Sequence, residues 1–189
     1  MDFPHHFTHH LDGLTDALET PGTDLQTVLL VLIDDLTTAI PSLLGLNLTM
    51  MVAGDLVTLA ATVSPDPPPA ATSLHIPLHQ LAPATPGSAV TFYASRPGAF
   101  VDLAADVRHA YSLDSHVVID GHLQTSLTPS RVTGLVEFSM INRAIGMLIE
   151  HGHPPATARD ELHRRAERAG RTLSGAAQHL LDRDQPTTS

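Results

Sequence analysis

No cysteine, tryptophan or lysine occurs among the 189 residues. Without cysteine there is no disulfide, thiolate zinc site, iron–sulfur cluster or cysteine nucleophile, so nothing in the sequence points to an oxidising compartment. A cytoplasmic location is the expectation. Long apolar runs are lacking too. The longest, Val28 to Ile33, falls far short of the roughly 20 residues that a bilayer span needs. The opening Met1-Asp2-Phe3-Pro4 lacks the lysine or arginine that begins a secretory signal. The sequence thus predicts neither a membrane partner nor a targeting segment.

What charge there is sits unevenly. The formal net charge is −10, and all ten basic residues are arginine. Before position 131 only Arg96 and Arg108 stand against thirteen acids, a balance of −11; from there on eight arginines meet seven acids, a balance of +1. An acidic body repels a polyanion, whereas an arginine-rich end can hold one. Two modules with different partners are expected.

Hydrophobic spacing divides the first module. Phe7 to Leu18 reads as a short helix. From Asp24, the residues Leu25, Val28, Leu29, Leu32, Ile33 and Leu36 recur at spacings of three and four behind an N-cap at Thr23 or Asp24, which predicts a helix to about Pro41. Leu46 to Val52 and Leu56 to Val63 form a hairpin across Gly54-Asp55. The proline-rich Ser64 to Pro69 cannot feed a hydrogen-bond ladder and is a loop. Ser73 to Leu78 and Ala89 to Ala94 read as two more strands, and Phe100, Leu103, Ala104 and Val107 mark a helix to about Tyr111. Residues 112–130 read as a linker with a short strand at His116 to Ile119.

A long helix is predicted from Pro129 to His151. Leu135, Phe138, Ile141, Ile145 and Leu148 lie on one stripe, and Val132, Val136, Met140, Ala144 and Met147 on its neighbour, so the helix offers two packing surfaces. One should cover the following helices; the other is an association seam, with Val136, Met140 and Met147 the candidates for homodimer contact. Gly152 stops this helix. Pro154-Pro155 opens a second through Ala158, Leu162, Ala166 and Ala169, Gly170 suits the left-handed residue after it, and Thr172 or Ser174 caps a third through Leu181. Ala144, Gly146, Ala158, Ala166 and Ala177 are read as small groups where the helices approach closely.

Over about Arg131 to Asp182 the chain resembles the ANTAR family of antitermination-regulator RNA-binding modules. The resemblance rests on Ile141-Asn142-Arg143-Ala144-Ile145-Gly146-Met147-Leu148, then Gly152, Ala158, Leu162, Ala166, Leu173 and Ala177. It implies a three-helix module that dimerises partly through its first helix and binds paired RNA hairpins with small loops. The family usually has lysine where Ile145 stands, an aromatic where Arg159 stands and asparagine where Gly170 stands. Arg143, Arg159, Arg164, Arg165, Arg168 and Arg171 are the candidate RNA-binding residues, since guanidinium forks bond phosphates and stack on unpaired bases. The competing reading is a solvated helix face, with Asp160, Glu161 and Glu167 paired to these arginines at helical spacing.

The preceding body is similar to a GAF domain, and GAF followed by ANTAR is a familiar arrangement in actinobacteria. The matching features are the helix Asp24 to Ile40, the hairpin at Gly54-Asp55, Ser73 to Leu78, and Val90-Thr91-Phe92-Tyr93-Ala94 followed by Pro97-Gly98-Ala99-Phe100. Only about ten residues separate Val63 from Ser73, where a full GAF domain inserts the pieces that roof its ligand pocket. The reduced domain is expected to serve dimerisation or to meet a small-molecule or protein partner, with at most a small pocket near Met50, Met51, Phe92 and Phe100.

Other chemistry is sparse. His5, His6, His9 and His10, His75 with His79, and His151 with His153 are incomplete ligand sets, so no metal site is expected. There is no Gly-rich phosphate loop, nucleophile elbow or metalloprotease helix. Asp102 and Asp106 read as a solvated acidic face opposite Leu103 and Val107. No catalytic residues and no cofactor are assigned, and an enzyme is not expected.

The sequence therefore predicts an α+β protein: a reduced GAF-like antiparallel sheet with helices over residues 1–111, a linker over 112–130, and an all-α three-helix ANTAR-like module over 131–189. The function expected is an RNA-binding antitermination or post-transcriptional regulator acting on hairpins in leader RNA. The alternative is a dimeric ligand-responsive or scaffold protein whose ANTAR-like module has lost RNA binding.

Overall fold

A computed structural model describes residues 3–20, 23–52, 55–81, 87–112, 116–121, 123 and 132–184. The chain divides into two compact units, residues 1–50 with 58–133 and residues 51–57 with 134–189. Its architecture is mixed α+β.

In the first unit two helices come first, α1 (Phe3–Glu19) and α2 (Leu25–Ala39). The carboxylate of Asp24 caps α2 by accepting from the backbone N–H groups of Gln26 and Thr27, as the sequence led one to expect. Leu25, Leu29, Leu32, Ile33 and Leu36 are the buried face of α2. Four strands follow, β1 (Leu43–Val52), β2 (Asp55–Thr62), β3 (Thr72–Pro77) and β4 (Ala89–Ala94), then α3 (Val101–Tyr111) and two short strands, β5 (Val118–Ile119) and β6 (Val132–Thr133). The sheet order is β5-β3-β4-β1-β2-β6, and every pairing whose register is described is antiparallel. The hairpin turn expected at Gly54 and the prolines at 83 and 86 lie outside the described residues.

Register gives the sheet two unlike faces, because residues directly opposite one another in an antiparallel pair point the same way. Leu46, Phe92 and Leu74 form one row and Leu48, Val90 and Ile76 the next, all fully buried. Phe7 of α1 meets Phe92 edge-on at 5.7 Å, and Phe100 lies 6.5 Å from Phe92. Phe92 and Phe100 are therefore filled core. The other face is a row of Asn47, Thr91 and His75 beside Gly45, Tyr93 and Ser73. These polar groups bond among themselves: the Asn47 amide donates to the Tyr93 hydroxyl at 3.4 Å, and His75 Nδ1 lies 2.9 Å from the Thr91 hydroxyl. A bulge between Leu43 and Gly45 brings the Gly45 backbone so near β2 that a Cβ would collide with the Ala61 carbonyl oxygen. Only glycine fits there.

Besides residues 51–57 at the adjoining ends of β1 and β2, the second unit holds three helices, α4 (Leu135–Glu150), α5 (Pro155–Ala169) and α6 (Leu173–Asp184). The long helix expected from Pro129 starts six residues later. Val132 and Thr133 instead pair with Ala61 and Ala60 of β2, and Gly134, with φ of 83°, turns the chain into the helix. Gly152 follows α4, where the helix was expected to stop, with φ of 92°, and Gly170 takes the left-handed conformation expected after α5, with φ of 58°. Thr172 caps α6, accepting from the Gly175 N–H at 3.1 Å. Among the described residues no helix is long and apolar enough to cross a membrane.

Candidate functional site

The three helices share a small core in which Ile141, Ala144, Ile145 and Leu148 meet Ala158, Leu162, Ala166, Leu173, Ala176 and Ala177. The alanines sit where close packing was expected. Gly146 does not: a Cβ there would have no neighbour within 4 Å, so its lack of a side chain serves no helix contact. Ile145 lies inside this core, away from solvent.

With so few large groups inside, the polar side of α5 is left to face outward. Met147, Leu148, His151, His153, Glu161, Arg165, Arg168, Ala169, Arg171, Ala176, His179, Leu180 and Arg183 line one concave groove of about 760 Å³. Four guanidiniums and three imidazoles border an apolar side made by Met147, Leu148, Ala176 and Leu180. That volume is in the range of ligand pockets, about 300–1,000 Å³.

One acid organises the cations. Glu161 is only 9% exposed. Its Oε1 accepts from Arg165 Nε at 2.8 Å and from an Arg168 Nη at 3.5 Å, and its Oε2 lies 3.0 Å from an Arg164 Nη. The hydrogen bond from Arg165 is the chief reason that its carboxyl is held below the usual carboxylate range; burial opposes this, and the charges of Arg164, Arg165 and Arg168 reinforce it. Arg164 and Arg168 also bond backbone carbonyls one turn back, those of Asp160 and Arg164. Among the described residues, Arg171 and Arg183 make no side-chain hydrogen bond or ion pair with the protein.

Of the candidate RNA-binding residues, Arg165, Arg168 and Arg171 converge on the groove, and Arg164 joins them through Glu161. Arg143 on α4 and Arg159 on α5 are exposed and do not line it. Glu161 alone takes up the arginines that three acids were expected to share, since Glu167 pairs with His163 at 3.2 Å. Sequence reasoning missed Arg183, His179 and the groove-lining role of His151 and His153. The available signal was on α6, where Ala176, His179, Leu180 and Arg183 follow at spacings of three and four.

The candidate dimer residues, all on α4, differ in their surroundings. Val136 is 69% exposed, Met140 is partly buried against the helical core, and Met147 lines the groove. The histidine pairs have other partners: His10 lies 2.7 Å from Asp35, His79 Nδ1 3.4 Å from the Ser88 carbonyl, and His151 Nδ1 2.8 Å from the Met147 carbonyl. Among the described residues no three histidine or acidic groups gather as metal ligands. Asp102 is exposed in the first turn of α3, opposite buried Leu103 and Val107. Comparison of the chain with protein-family models, with curated proteins and with solved structures finds no match.

Proposed function

We propose that the chain is an RNA-binding regulator of the ANTAR type. Its α4–α6 unit takes paired hairpins with small loops in leader RNA, and its first unit is a reduced GAF-like domain that meets a small-molecule or protein partner. The observation that carries this reading is the groove in which Arg165, Arg168, Arg171 and Arg183 stand beside an apolar side. Guanidiniums bond phosphates as planar forks and stack on unpaired bases, and apolar surface accepts the faces of splayed bases. Binding stabilises a hairpin that competes with a terminator or masks a ribosome site, in the cytoplasm and without covalent chemistry. The active form is a homodimer, for which Val136, exposed on the first turn of α4, is the contact offered.

Salt dependence tests the reading. Four phosphate contacts give a log–log slope of affinity against salt of about −3, at roughly −0.7 per single-stranded contact. The double variant Arg165→Gln/Arg168→Gln keeps helix propensity nearly constant. It should lose about half of that slope, along with most of the affinity, because two of the four contacts are gone. Absence of salt-sensitive binding to a two-hairpin RNA panel, or equal binding by the double variant, would contradict it. One observation favours the scaffold alternative: Glu161 already pairs with three of the arginines.

A further inference from the structure

Glu161 is out of place in a groove for a polyanion. By charge alone a carboxylate there repels phosphate. Yet this one is largely buried at the base of α5's cationic side, with both oxygens occupied by arginines from three positions on the same helix. Left alone, Arg164, Arg165 and Arg168 would repel one another and sample many rotamers, so each would arrive at a ligand unoriented. The bond from Arg165 uses its Nε edge. That leaves the Nη donors of a plane whose direction is fixed.

We propose that Glu161 is a positioning residue for RNA: by orienting the guanidiniums of Arg165 and Arg168, which line the groove, it makes the groove select unpaired loop nucleotides over duplex phosphates. This rests on the RNA reading above. Point charges attract any phosphate, paired or not, whereas stacking and forked bonding demand oriented planes and splayed bases.

The test compares two RNAs, a pair of stems closed by small loops and the same stems as loop-free duplex, with the wild-type 189-residue chain and its Glu161→Gln variant. The glutamine keeps the shape and removes the charge that gathers three cations. The expected result is a loop-to-duplex affinity ratio about tenfold lower, the effect of one lost charge-assisted bond. Duplex affinity should be unchanged or higher, because the variant is more positive. Rise or fall of both affinities by the same factor overturns the proposal, since Glu161 is then a neutralising or structural charge. Salt-sensitive wild-type binding without preference for the looped RNA overturns it while leaving the RNA reading standing. No wild-type binding to either RNA overturns both.

If circular dichroism shows Glu161→Gln unfolded, Arg165→Lys decides. It keeps the charge and loses the plane. The proposal expects loss of loop preference at an unchanged salt slope, and retained preference overturns it.

Discussion

The two units treat polar groups in opposite ways. In the first unit polar side chains tie one segment of the chain to another. Arg108 bonds the Val117 carbonyl at 2.6 Å, Asp120 holds the Thr72 hydroxyl and the Ser73 N–H, and the Tyr111 hydroxyl donates to Asp12 at 2.7 Å with the Thr8 carbonyl oxygen 3.0 Å away. In the second unit a small core leaves the cations outside, and a single carboxylate arranges them.

Core truncation should break the comparison most visibly. Phe92→Ala removes the ring between Phe7 and Phe100 and should cost about 3–5 kcal/mol. Both tyrosines of the chain, Tyr93 and Tyr111, belong to the first unit, so tyrosine fluorescence in denaturant reports it separately. Leu162→Ala, at a fully buried position of α5, should cost about 2–5 kcal/mol and lower the far-ultraviolet circular dichroism transition while the tyrosine midpoint stays. Coincident shifts for both variants would show one cooperative body instead of two.

Acid should act on the helical unit through Glu161. Its folded carboxyl titrates below its unfolded value, so the stability it adds is complete above the ordinary glutamate range near about pH 4.3 and is lost as pH falls through the folded value. The wild type should therefore lose midpoint in that window and Glu161→Gln should not. Equal acid sensitivity of the two would remove Glu161 from the account. In the first unit the sign is opposite and the window alkaline. Burial, aided by the bond to Asp12 and its charge, raises the Tyr111 hydroxyl well above its ordinary value. The associated stability is full below about pH 10 and declines above it.

Smaller effects sharpen the contrast. Thr172→Ala removes the cap of α6 and should cost about 1 kcal/mol in the helical unit alone, read from its thermal transition. Gly13→Ala in α1 and Gly146→Ala in α4 place a methyl group where no atom lies within 4 Å. Each should stabilise its own unit by about 0.5–1 kcal/mol. A loss at Gly146 would restore the close packing that its sequence neighbours suggested.

Much of this was legible because helical spacing and end signals are local. The apolar rows of α2, the Asp24 cap, Pro155 at the start of α5, and Gly152 and Gly170 after their helices all follow from neighbours within a few positions. What was missed depends on distant partners. Val132 continues the apolar stripe of α4 in sequence, but β2 supplies a ladder, which Val132 and Thr133 join, that competes with the helix. The buried polar row of Asn47, Tyr93 and Thr91 needs the strand register to exist. In the candidate site, α5's arginines were visible as a cluster. That Glu161 gathers three of them while Arg143 and Arg159 stand apart, and that Arg183 joins from α6, depends on how three helices pack.

The central claim is that nucleic-acid contact is confined to the groove of the helical unit. Ultraviolet crosslinking of the full chain to a two-hairpin RNA, with the adducts mapped to peptides by mass spectrometry, tests it directly. Adducts should fall within residues 147–183, which bound the groove, and should vanish at high salt. Adducts confined to residues 3–112, or a salt-sensitive complex whose adducts lie outside the groove, would contradict it.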